Sequence, residues 1–204
     1  MSPTIIECTQ GTHEWHMARL GLPTASEFKT ILGVKKDSRD KVTRNTYLRK
    51  LAGEIITGEP MENYRNADMD RGNAMEAEAR DFYAFTTDEP IERVGFVVNG
   101  GKGCSPDSFV GQIGMLEIKT AFPHILIEKI LADDFPPEHK AQTQGALWVC
   151  EREWIDLAIY WPKMPMFTKR AYRDPAYIKQ ISDEVDQFNS ELHELVEKIR
   201  RYGA

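Results

Sequence analysis

Asp107, Glu117 and Lys119 are the residues of this chain most able to do chemistry. They lie in Cys104-Ser-Pro-Asp107 and Leu116-Glu-Ile-Lys119, two short apolar segments separated by a turn containing Gly111 and Gly114. Two adjacent strands would bring the three side chains together. Magnesium takes hard oxygen ligands and usually keeps several waters. Asp107 and Glu117 could supply two carboxylates, and the Ile118 backbone carbonyl a third ligand. Residues i and i+2 of a strand share a face, so Lys119 points toward the same phosphate as Glu117. There it could orient an attacking water or neutralise charge on a pentacovalent transition state. Metal-dependent attack on a phosphodiester is the leading chemistry. The rival reading is a surface salt bridge between Glu117 and Lys119 beside a turn, since an Asp…Glu-x-Lys pattern also arises by chance.

The bulk of the sequence is compatible with such an enzyme. Its 204 residues suit one domain, 1–204, with a full hydrophobic core. Hydrophobic residues at 41% and charged residues at 28% are ordinary for a globular protein. The net charge of −6 argues mildly against a protein that coats nucleic acid, but not against a local basic channel. No apolar run is long enough to span a bilayer, and the start, Met1-Ser-Pro-Thr-Ile-Ile-Glu7, lacks signal-peptide features. Cys8, Cys104 and Cys150 form neither a disulfide framework nor a thiolate cluster. A cytoplasmic protein without membrane association is expected. The five histidines are too dispersed for a zinc site, and Gly100-Gly-Lys-Gly103 is followed by no helix that would make it a phosphate loop.

The elements that must position the carboxylates follow from periodicity. Glu14–Arg19 reads as a short helix, and the capping-box spacing of Thr24-Ala-Ser-Glu27 predicts another through Leu32. The stretch from Val34 to Lys41 is basic and reads as a loop. Helices are predicted over Thr43–Thr57, Asn73–Phe85, Pro123–Ala132, Pro137–Cys150 and, as a long amphipathic element, Asp174–Arg201. Strands are predicted over Ile91–Val98, Cys104–Val110, Met115–Thr120, Trp154–Trp161 and Phe167–Tyr172, with Asn99-Gly-Gly101 as a hairpin turn. The expected fold is α/β, a mixed sheet flanked by helices.

Five motifs occur in order: Arg19-Leu-Gly-Leu-Pro-Thr-Ala-Ser26-Glu, Arg71-Gly-Asn-Ala-Met-Glu76, Cys104-Ser-Pro-Asp107, Leu116-Glu-Ile-Lys119 and Ala141-Gln-Thr-Gln144-Gly-Ala-Leu-Trp148. Together, over about Trp15 to Trp161, they resemble the phage lambda exonuclease, or YqaJ-type viral recombinase, family. The resemblance implies a restriction-endonuclease-like core. It also implies processive 5′→3′ digestion of one strand of linear duplex DNA by a ring-shaped homotrimer, working with a single-strand annealing protein inside a bacterial host. By the same resemblance Asp107, Glu117, the Ile118 carbonyl and Glu76 bind metal. Two Mg2+ ions about 4 Å apart, with Mn2+ able to substitute, would clamp the attacking and leaving oxygens. Lys119 and Gln144 join them in catalysis. Glu76 also stands four residues before Arg80, a pairing that could simply solvate a helix.

The resemblance further makes Arg19, Ser26 and Ser105 ligands of the 5′-terminal phosphate, an Arg and two hydroxyls being a sound anion cradle. The dipole of the helix near Ala25 would add to it. Where the family has an Arg after the catalytic Lys, this chain has Phe122-Pro-His124-Ile125. His124 is the candidate replacement, a weaker anion ligand when neutral. Met69 falls where the family places an apolar wedge between terminal base pairs, and Lys36 and Arg39 could contact the duplex backbone. The alternatives are a restriction-type endonuclease of the same core and a DNA-end-binding scaffold without catalysis.

Overall fold

The computed structural model describes residues 2–33, 38–61 and 67–202, the side chains of 38–41 and 67–74 excepted. In chain order the elements are β1 (Thr4–Ile6), α1 (His13–Arg19), α2 (Phe28–Leu32), α3 (Ser38–Thr57) and α4 (Ala67–Thr87). Then come β2 (Ile91–Glu92), β3 (Phe96–Val98), β4 (Gly103–Cys104), β5 (Ser108–Val110) and β6 (Gly114–Thr120). The chain ends with α5 (Pro123–Ala132), α6 (Lys140–Cys150), β7 (Trp154–Tyr160), β8 (Phe167–Tyr172) and α7 (Pro175–Arg200). Single 3-10 turns at Ala25–Glu27 and Pro137–His139 lead into α2 and α6.

The central sheet has the order β2-β5-β6-β7-β8, with β6 and β7 parallel and the other pairs antiparallel. Strand β7 is buried along its whole length, as a strand covered on both faces must be. On one face Leu116 and Ile118 of β6 pack with Met75, Ala79 and Tyr83 of α4. On the other, Phe109, Met115 and Ile155 join a larger cluster with α2, α6 and α7. Buried Asp156 of β7 ties α4 to the sheet edge: it accepts from the Tyr83 hydroxyl at 2.6 Å and from the Arg170 guanidinium at 2.8 Å on each oxygen. Helix α7 starts at an Asp174 cap that accepts from Tyr177 N, with Pro175 at its first position. It buries Ile178, Ile181, Val185, Phe188, Leu192 and Val196 at helical spacing.

A small second sheet, β1-β3-β4, leans on the first. The two strands predicted over Ile91–Val98 and Cys104–Val110 are each cut in two, because the chain leaves the central sheet after β2 and returns to it at β5. Gly95 sits at the first cut, where a Cβ would lie 2.5 Å from the carbonyl oxygens of both Ile6 and Cys8. Pro106 sits at the second, where a residue without an N–H cannot continue a ladder. The Asn99–Lys102 turn between β3 and β4 forms as predicted.

Several boundaries differ from those read in the sequence. Helix α3 begins at Ser38, so Arg39 lies on a helix rather than in a loop. Ser38 and Asp40 suit a helix N-terminus, and no Gly or Pro breaks the run to Thr43. Helix α4 begins at Ala67 with Asp68 and Asp70 in its first turn, which places Met69 on it. Lys36 lies outside the described residues. The capping box at Thr24 does not form: Thr24 makes no side-chain cap bond, and a 3-10 turn precedes a helix of only five residues. So short a helix offers no dipole of consequence.

Gly95→Ala is expected to destabilise the protein by about 3 kcal/mol, because backbone oxygens cannot move aside as a flexible side chain would. An unchanged urea midpoint would mean that the crossing is looser than these contacts.

Candidate active site

Strands β5 and β6 are antiparallel, with Ser108 opposite Leu116. Continuing that register by one residue sets Asp107 against Glu117. Like charges directly opposite repel, and here they do so out of water: Glu117 is 4% exposed. Burial, then the charges of Glu117 and Glu76, push the Asp107 carboxyl well above its usual range, against the pull of Ile118 N–H and Lys119. Ile118 N donates to Asp107 Oδ2 at 2.5 Å. The N–H and C=O of one strand residue point to the same edge. The Ile118 carbonyl is therefore directed to the edge where β5 has ended and Asp107 stands.

Lys119 donates to Glu117 Oε1 at 2.7 Å. Burial alone would lower its pKa, but Glu117, Asp107 and Glu76 outweigh burial and the net shift is upward. Paired this way, Lys119 is a donor and counter-charge to Glu117.

Gln144 was expected among the reacting groups, with the satisfaction of a polar group as the alternative, and its side chain here is engaged away from the carboxylates. Its Nε2 donates to Tyr172 O and its Oε1 accepts from Asp174 N, each at 2.8 Å, so it stitches α6 to the β8–α7 turn. Gln142 instead reaches the carboxylates, donating to Glu117 Oε1 at 2.5 Å. Two residues on a helix are about 200° apart, so only one glutamine of this motif can face β6. Helix α6 is buried over most of its surface, which removes the amphipathic signal that would have distinguished them.

Glu76 and Arg80 do pair, but not as a solvated surface couple. Arg80 is buried; it donates to Glu76, to Ser108 Oγ at 2.9 Å and to the Asp107 carbonyl at 3.4 Å. It clamps α4 to the β5 end that carries Asp107. The i,i+4 spacing was visible in the sequence; the burial that gives it this task was not.

A second cluster lies on the other side of Pro106. Arg19 donates to Ser105 Oγ at 3.2 Å and to Thr24 Oγ1 at 3.4 Å, and Thr24 and Ser26 hydroxyls meet at 3.2 Å. Trp15 Nε1 donates to Ser105 Oγ at 2.8 Å, and the Arg19 guanidinium lies 4.1 Å from the Trp15 ring centroid. Burial lowers the Arg19 pKa. Among the described residues Arg19 forms no salt bridge; the more distant Glu27 and Glu54 only partly offset its desolvation. Sequence reading brought Arg19, Ser26 and Ser105 to this pocket and missed Trp15 and Thr24. His124 is not drawn into it: it is exposed at the start of α5 and stacks against Phe122, centroids 6.3 Å apart. Lys36 and the side chains of Met69 and Arg39 lie outside the described residues.

Among the described residues no three carboxylate, imidazole or thiolate side chains form a ready-made metal cage. Magnesium does not need one, since one or two carboxylates and several waters satisfy it. Asp107 and Glu117 fit that requirement: hard oxygens, one half-buried and one buried, mutually repelling and short of positive charge. Glu76 is engaged by Arg80 rather than assembled with them.

The YqaJ-like viral recombinase domain matches residues 14–153 of this chain. The crystal structure of the alkaline exonuclease LHK-Exo from Laribacter hongkongensis is similar over 94% of this chain and 97% of its own, with a TM-score of 0.83 and 33% identity. The structure of LHK-Exo in complex with dAMP gives a TM-score of 0.84 at the same identity and coverage. A phage related exonuclease from Haemophilus somnus 129PT shares the fold at 17% identity, with a TM-score of 0.65 over 87% of this chain and 96% of its own. Among curated proteins none matches. The mixed five-stranded sheet with its flanking helices is therefore the restriction-endonuclease-like fold of the alkaline exonucleases.

The two glutamines give opposite expectations. Gln142→Ala should weaken Mg2+ binding in calorimetry at nearly unchanged melting temperature. Gln144→Ala removes two part-buried hydrogen bonds that join α6 to the β8–α7 turn and should cost about 2 kcal/mol of stability, with Mg2+ affinity retained. The reverse pattern would return Gln144 to the site.

Proposed function

This chain belongs to the YqaJ-like viral recombinase family, and from that membership we propose that it digests one strand of linear duplex DNA, 5′→3′ and processively, with Mg2+. Its kinship with alkaline exonucleases makes it a nuclease, an enzyme that hydrolyses DNA. The observation that carries the finer reading is the opposition of half-buried Asp107 and buried Glu117 with Lys119 against Glu117.

In this reading Asp107, Glu117 and the Ile118 carbonyl would hold the metal, with Glu76 reaching a second ion directly or through water. Bound there, Mg2+ supplies an activated water and neutralises charge on the scissile phosphate. Lys119, kept protonated, donates to the phosphate or the attacking water. Gln142 holds the Glu117 carboxylate in its orientation, and Arg80 holds Glu76 and the Asp107 backbone. Mn2+ substitutes as a second hard cation. The product is a 3′ single-stranded overhang, the substrate of a single-strand annealing protein in recombination.

Arg19, Ser26 and Ser105 bind the 5′-terminal phosphate, joined by Thr24. The support is a guanidinium largely removed from water, hydrogen-bonded to hydroxyls and, among the described residues, in no salt bridge with a carboxylate. His124 stands outside this pocket, so end recognition rests on one guanidinium. Met69 parts the terminal base pairs, and Lys36 and Arg39 track the duplex backbone. A homotrimeric ring explains processivity, because a closed ring keeps DNA from leaving sideways. Residues 1–204 are assigned to one nuclease domain, since three apolar clusters join elements from the whole chain. No described helix is long and apolar enough to cross a membrane; action in the cytoplasm of a bacterial host is part of the proposal.

With Mg2+, the protein should shorten linear duplex DNA from its 5′ ends and leave a covalently closed plasmid intact; chelation should stop it. Lys119→Ala should lower turnover by at least about 100-fold. Nicking or linearisation of the plasmid would indicate an endonuclease, and end binding without nucleotide release a scaffold. Arg19→Ala should slow digestion of 5′-phosphorylated ends more than of 5′-hydroxyl ends; equal losses would remove the pocket assignment.

A further inference from the structure

We propose that Trp15 is a positioning residue that sets selectivity for a phosphorylated 5′ end by turning the Ser105 hydroxyl into an obligate donor. The inference rests on the phosphate-pocket reading above and goes beyond it. A serine hydroxyl has two acceptor lone pairs and one proton. At Ser105 both lone pairs are taken, by Trp15 Nε1–H at 2.8 Å and by Arg19 Nη1–H at 3.2 Å. Among the described residues no acceptor is placed for the remaining proton. It is therefore available outward, on the same side chain that Arg19 grips.

That arrangement discriminates by chemistry. A terminal phosphate offers only acceptors and negative charge, and matches a fixed O–H beside a guanidinium. A terminal hydroxyl can act as donor as well as acceptor, and half of that capacity is wasted against a site that only donates. The Trp15 ring adds a second effect. It covers the guanidinium face at 4.1 Å, with Phe96 at 5.9 Å, so Arg19 meets a phosphate with less water to displace. Helix α1 holds Trp15 and Arg19 four residues apart on one face. The Thr12 cap on Trp15 N at 3.4 Å begins that helix.

Trp15→Phe keeps an aromatic ring beside Arg19 while removing the N–H together with the pyrrole half of the indole. The measurement is kcat/KM on linear duplexes that differ solely in a 5′-phosphate or 5′-hydroxyl, for wild type, Trp15→Phe, Ser105→Ala and the double variant. Trp15→Phe should reduce the phosphate-to-hydroxyl preference by about tenfold. The double variant should lose no more than Ser105→Ala, because Trp15 acts through that hydroxyl. Inorganic phosphate should compete with phosphorylated ends less well against Trp15→Phe than against wild type. Equal losses on both ends, or additive losses in the double variant, would overturn the inference while leaving the pocket standing. A wild-type enzyme indifferent to the 5′-phosphate would remove the pocket, and this inference with it. The Ser105→Ala comparison keeps the test decisive if Trp15→Phe folds poorly.

Discussion

The repulsion between Asp107 and Glu117 is the constraint around which the rest is arranged. Two carboxylates face each other beside a strand pair, Glu117 buried and Asp107 half-buried, where water screens them poorly. Every neighbouring group answers that charge. Ile118 N–H binds Asp107, Lys119 and Gln142 bind Glu117, and Arg80 binds Glu76 and the Asp107 backbone. Desolvation first, then the charges of Glu117 and Glu76, still hold the Asp107 carboxyl above its usual range. A site left short of positive charge and lined by hard oxygens is suited to a divalent cation.

The crossing between the two sheets gives this centre its second half. Ser105 belongs to the Arg19 cluster and Asp107 to the carboxylates, and only Pro106 separates them. Two residues span at most about 7 Å, so the pocket that would grip a strand end is a short, stiff distance from the groups that would cut it. Gln10 reinforces the same segment, donating to the Pro106 and Val94 carbonyls at 2.9 Å each and thereby tying the two crossings together. A shift of this segment would move end recognition and chemistry together.

Helix α6 shows how stability and chemistry share one element. Its Gln144 side fastens the β8–α7 turn, and its Gln142 side steadies Glu117. The helix can do both because it is packed between the sheet and α2 and α7, with Ala146, Leu147 and Val149 wholly or almost wholly buried. Precision at Glu117 thus derives from a helix that cannot rotate without breaking core contacts.

By itself the sequence determined the local elements and much of the site's membership. Period and punctuation marked α5, β8 and α7 nearly to the residue, and the ordered motifs named Asp107, Glu117, Lys119, Arg19 and Ser105. Alternation could not reveal that Ile91–Val98 and Cys104–Val110 each serve two sheets, because the cause at Gly95 is a close approach by β1, far away in sequence. Nor could spacing choose Gln142 over Gln144, since both sit in one motif and the choice depends on which face of α6 meets β6. Arg80 and Trp15 gained their places for the same reason: a side chain's partners across 28 to 90 residues are set by packing, which local pattern does not encode.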